Sequence, residues 1–160
     1  MKSGFLRIIP VFIFVLIAQT TLIPLIELKG IIPDLILILL VYYSIKSGQL
    51  TGTLLGFTFG LFFDLFTGSA LGGAMLSKTV AGFVAGYFSV ESKRELYLTS
   101  FYFLLIVFLC ALIDSVIYSL FTVVDLNTNI FSLIFQQGLL PALYTSVIST
   151  IVLLFKPLSK

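Results

Sequence analysis

The chain has 160 residues, of which 59% are hydrophobic and 10% charged, with a formal net charge of +2. Soluble domains are about half apolar and a quarter charged, so an aqueous fold would leave too much hydrocarbon uncovered; the expected solvent is lipid. There is no His, and the one cysteine, Cys110, lies in the apolar run LLIVFLCALI. An intrachain disulfide, a zinc site and a His-based acid–base dyad are thereby excluded, and no basic run suggests nucleic acid.

Six apolar segments approach the roughly 20 residues that a membrane-spanning helix needs. The first covers about 6–25. Its long apolar run and the absence of an A-x-A site in LIAQTTLIP fit a retained anchor better than a cleaved signal peptide. The second, about 31–45, opens at Pro33 with PDLILILLVYYSI. The third and fourth cover about 50–66 and 70–88, and the fifth and sixth about 98–121 and 131–155. Turn-formers and charges separate them: ELKG, KSGQ, TGS, SVESKRE and VVDLNTN.

Charge fixes an expected orientation. With the N-terminus in the cytoplasm, Lys2, Arg7, Lys46, Lys93, Arg94, Lys156 and Lys160 all fall inside. Lys29 then falls outside, beside Glu27, Asp34 and Asp125. Such a bias is what the positive-inside rule rewards, and Tyr42, Tyr43, Tyr87, Tyr97 and Tyr102 gather near the inner ends. The expected fold class is therefore an all-α integral membrane protein: one polytopic domain, residues 1–160, built as a bundle of six transmembrane helices with both termini cytoplasmic.

Gly48, Gly52, Gly56 and Gly60 recur every four residues into the third span, and Gly82 and Gly86 repeat the spacing in the fourth. Stripes of this kind let helices pack closely in lipid, either within one chain or against a partner. Polar residues inside the spans fall in the outer half: Gln19, Asp64, Lys78, Asp114, Gln136 and Gln137. Lys78 lies about eight residues below the outer end of its span, roughly 12 Å, and Asp114 at a similar depth. An unpaired intramembrane charge costs about 2.5–3.5 kcal/mol, so these groups should face one another in the interior. Depth favours Asp114 as the partner of Lys78; the short connection TGSALGG favours Asp64. Three readings of the cluster stand: a structural ion pair, an outward-facing cavity for a small molecule, and catalysis by Asp64 with Asp114. For catalysis the sequence offers no supporting nucleophile or metal motif.

The stretch PDLILILLVYYSIKSGQLTGTLLGFTFGLFFDLFTGSALGGAMLSKTVAGFVAGYF resembles the body of the bacterial rod shape-determining protein MreD family. Pro33 and Asp34 carry the resemblance, followed by Lys46 and the glycines 48, 52, 56 and 60. Asp64, Gly68, Gly72, Gly82 and Gly86 complete it. The resemblance implies a non-enzymatic scaffold without cofactor in the bacterial cytoplasmic membrane. MreC is the implied partner, with MreB, RodA and a class B penicillin-binding protein in the same elongation machinery. It also implies a fold similar to the substrate-binding S-components of energy-coupling-factor vitamin transporters. Membership of that transporter class is the alternative, weakened by the lack of Trp and His to stack a vitamin.

Overall fold

The computed structural model describes residues 2–28, 31–69, 71–122 and 133–155, and among these it contains helices and a single isolated bridge, Leu28 to Ile31. Lys29, Asp125, Lys156 and Lys160, which entered the charge argument, lie outside the described residues. The elements in chain order are α1 (Lys2–Thr21), a 3-10 turn (Ile23–Ile26), α2 (Leu35–Ser47), α3 (Gln49–Thr67) and α4 (Gly73–Tyr87). A 3-10 turn (Glu91–Lys93), α5 (Arg94–Thr99) and α6 (Tyr102–Thr122) follow, then a π-helix (Leu133–Leu139) running into α7 (Leu140–Phe155).

Each apolar segment contains a helix, with shifted ends. The first helix stops at Thr21, because Pro24 falls in a tighter 3-10 turn. The second starts at Leu35: Pro33 lacks an N–H and disfavours helical backbone before it, and Asp34 then caps the helix by accepting from Leu37 N at 2.9 Å. Leu98 lies in the separate short helix α5, and extended backbone at Ser100 delays α6 to Tyr102. Among the described residues, two helices, Gln49–Thr67 and Tyr102–Phe121, are long and apolar enough to cross a membrane, and Ile8–Thr21 and Leu35–Ser47 are shorter apolar helices.

At 13 and 15 residues, α2 and α4 reach only about 20 and 22 Å. Their placement explains how they remain short. α2 is the centre of the bundle, with Ile36, Leu37, Leu40, Val41 and Ile45 fully buried, and α3, α4, α6 and α1 surround it. Non-helical backbone at membrane depth survives only where protein groups satisfy it. Here they do. Gln19 donates to Pro33 O and accepts from Leu35 N, both at 2.9 Å, and Asp34 N donates to Thr145 Oγ1 at 3.0 Å.

A single residue, Gly48, joins α2 to α3, with φ at +95°, where side chains other than glycine's are strained. α3 and α4 then form the most extensive helix pair. On the outside, Phe14, Phe66, Leu50 and Leu120 are exposed, whereas Ser44, Asp64, Ser77, Lys78 and Thr145 are buried. Apolar groups outside and polar groups inside is the arrangement that lipid as solvent favours. Phe12 stacks on Phe59 at 4.1 Å between ring centroids and so ties α1 to α3. Near the junction of α4, α5 and α6, Phe88, Tyr97 and Tyr102 form a run of edge-on ring contacts, each 6.1 Å.

Candidate functional site

The site is assembled around α4. The glycines of α3 settle where that helix lies. A Cβ added at Gly52, Gly56 or Gly60 would come within 3.0 Å of the backbone at Gly82, Lys78 and Ala74 respectively. From the other side, a Cβ at Gly82 or Gly86 would meet the backbone of Gly52 or of Gln49 equally closely. The stripe is therefore filled by this chain's own α4, backbone against backbone. Gly48 differs: its backbone lies near Gly86, but a Cβ on Gly48 itself would find only Ser89 Oγ, at 4.0 Å.

Lys78, whose carbonyl lies against Gly56 in that contact, carries its side chain into the bundle. Its ammonium meets two carboxylates: Asp114 of α6, at 3.1 Å from Oδ2, and Asp34, the cap of α2. Ser77 donates to the other Asp114 oxygen at 2.7 Å, and the Phe63 ring lies 5.6 Å from the ammonium. Lys78 is 2% exposed and Asp114 6%, while the Asp34 side chain keeps 23% of its surface open. That opening leads to a cavity of about 380 Å³. Gln19, Asp34, Lys78, Asp114, Gln136 and Gln137 all line it, and both of the last two are exposed on the π-helix that runs into α7. Thr145 of α7 anchors the far wall by accepting from Asp34 N while donating to Pro141 O at 2.8 Å.

Asp64 lies elsewhere, which corrects one of the two pairings offered for Lys78. Its carboxylate accepts from the backbone N–H groups of Gly72 at 2.9 Å and of Ala74 and Met75 at 3.2 Å, and from Ser69 Oγ at 3.0 Å. The N-cap residue of α4 is Gly72, which has no side chain to offer, and Asp64 reaches across from α3 to supply the missing acceptor. A carboxylate there also complements the positive end of the helix dipole. Gly68 and Gly72, at φ +66° and +111°, turn the chain tightly enough for this contact. Since Asp64 does not line the cavity, the paired-carboxylate chemistry of Asp64 with Asp114 has no geometry behind it.

Asp34 is the partner that sequence reasoning missed, along with Ser77 and Thr145. The charge pattern sets Asp34 with the outer loop, beside Glu27. The extended segment 32–34 carries it into the bundle instead. Position 34 also supplies the helix cap, so one carboxylate serves two roles through its two oxygens.

No curated protein and no solved structure matches the chain. Residues 2–157 match the family described as rod shape-determining protein MreD, nearly the whole sequence. The chain belongs to the MreD family of membrane proteins that determine rod shape in cells.

Proposed function

We propose that the protein is a non-enzymatic scaffold of the bacterial elongation machinery, which binds MreC and helps to organise peptidoglycan synthesis at the lateral wall. The observation that carries this reading is the family match over residues 2–157. MreB, RodA and a class B penicillin-binding protein are the further members of the proposed assembly. In the same reading the chain crosses the cytoplasmic membrane six times, with both termini inside. The Lys/Arg asymmetry supports that orientation, and a helix within each of the six apolar segments supports that number of spans.

The glycine stripe is occupied within the chain, so the proposed MreC contact falls on another surface. The competing reading, a vitamin-binding S-component, draws support from the cavity alone. Depletion separates the two: cells without the scaffold are expected to round up, and affinity capture of the full chain is expected to retain MreC. Cells that stay rod-shaped, with one vitamin strongly stabilising the purified protein, would overturn the scaffold reading.

A further inference from the structure

We propose that the cavity between α2, α4, α6 and the π-helix is a binding site for a ligand bearing an ammonium group. The inference is independent of the scaffold reading and rests on charge, acceptor geometry and space. Three ionisable acid–base side chains from distant parts of the chain meet there: Lys78, Asp34 and Asp114. One ammonium faces two carboxylates, so the described lining carries a surplus of one negative charge when all three are ionised. Lone charge in a buried setting is the costly state, and a cation entering the cavity would offset it.

The free acceptor positions point the same way. Each of the four carboxylate oxygens accepts one hydrogen bond among the described residues: from Leu37 N, Lys78 Nζ (twice) and Ser77 Oγ. A carboxylate oxygen has two lone pairs, which leaves acceptor capacity on each oxygen. Asp34 is also the carboxylate with its surface partly open. The amide oxygens of Gln136 and Gln137 add neutral acceptors, and the Phe63 ring beside the Lys78 ammonium is of the kind that attracts cations. An anionic ligand would meet the opposite field. At about 380 Å³ the cavity falls in the lower part of the range for small-molecule sites, large enough for a head group or a small amine. The π-helix that contributes Gln136 and Gln137 to its lining is a second sign, because such segments are uncommon and frequently accompany functional sites.

Two sources share this chemistry: the head group of an aminophospholipid, and a free amine from the aqueous side. The full chain would be reconstituted in nanodiscs of phosphatidylglycerol, which has no ammonium, and its melting temperature followed. Ethanolamine and choline form one arm, matched against sodium chloride and ethylene glycol. Partial replacement of the lipid by phosphatidylethanolamine, with native mass spectrometry of retained lipid, forms the other. A rise of several degrees in either arm is expected, and the arm that responds identifies the source.

Asp114→Asn leaves Lys78 paired with Asp34 but removes the surplus charge, and should abolish the rise. Ser115→Phe fills the cavity while keeping all three charged side chains, and should abolish it too, which preserves the test if the first variant folds poorly. An equal rise with ethylene glycol, an equal rise in both variants, or no rise in either arm would overturn the proposal.

Discussion

Helix α4 carries two contacts of opposite character. Toward α3 it offers bare backbone, and Gly52, Gly56 and Gly60 let that backbone come as close as another helix can. Toward α2 and α6 it offers a charged side chain, held by two carboxylates beside an open cavity. Lys78 belongs to both: its carbonyl lies against Gly56 while its ammonium lies between Asp34 and Asp114. The first contact gains from dispersion and has no room for change. The second is specific and expensive to leave half-made. A membrane bundle has little hydrophobic driving force between its helices, and α4 shows both of the available substitutes on one short element.

The largest effect should come from breaking the charged side. Lys78→Met leaves two carboxylates facing each other in the interior, and a loss of about 3–5 kcal/mol is expected, the usual range when one partner of a buried pair is removed. Asp114→Asn should cost less, because Asp34 still neutralises Lys78. The combination of Lys78→Met with Asp114→Asn leaves only Asp34 charged, partly open to the cavity and with no second carboxylate facing it, and should be more stable than Lys78→Met alone. Thermal unfolding of the three variants in one detergent measures this. Losses that simply add would show that the triad is not a coupled unit.

Breaking the backbone side should cost somewhat less. Gly56→Ala introduces one methyl where the carbonyl of Lys78 already sits, and overpacking of this kind costs about 1–3 kcal/mol. The intrinsic helix preference of Ala returns up to about 1 kcal/mol. The lipid-facing Leu54 of the same helix is a control, and Leu54→Ala should stay within about 0.5 kcal/mol. Since the methyl displaces the backbone that carries Lys78, Gly56→Ala and Lys78→Met should combine non-additively. Independent effects would separate the two faces of α4 that the structure joins.

These two faces differ in how much of them a reader of the sequence can see. The glycine stripe is periodic, so its spacing alone indicates a close helix contact; what spacing leaves open is whether the contacting helix belongs to the same chain. The polar cluster is legible by depth, since Lys78 and Asp114 can be placed by counting residues from the span ends. Counting fails for Asp34. It assumes that helices start at the membrane surface, and α2 starts inside, after an extended segment clamped by Gln19 and Thr145. Asp64 misleads for a different reason: the short connection TGSALGG suggests a contact with Lys78. Its true role depends on the turn geometry of Gly68 and Gly72, and on Gly72 having no side chain of its own to cap α4. Long-range satisfaction of backbone groups leaves no periodic trace.

Asp64 supplies the smallest test, and it bears on both faces because it holds the end of α4 from which each contact is registered. Asp64→Asn keeps the shape of the side chain and one acceptor oxygen. The other oxygen becomes an NH₂ group pointed at backbone N–H donors, and the charge that complements the helix dipole is lost. Lost caps cost about 0.5–2 kcal/mol, and the expected loss here is about 1 kcal/mol, below that of Gly56→Ala. The distinctive readout is local. Hydrogen exchange should accelerate at the amides of Gly72, Ala74 and Met75, which donate to Asp64, while amides in the middle of α4, such as Ala81, stay protected. If exchange instead rises evenly along α4, Asp64 is holding the helix in place as a whole, and both faces depend on it equally. If nothing changes, the glycine contact alone fixes the register of α4 and the cap is dispensable.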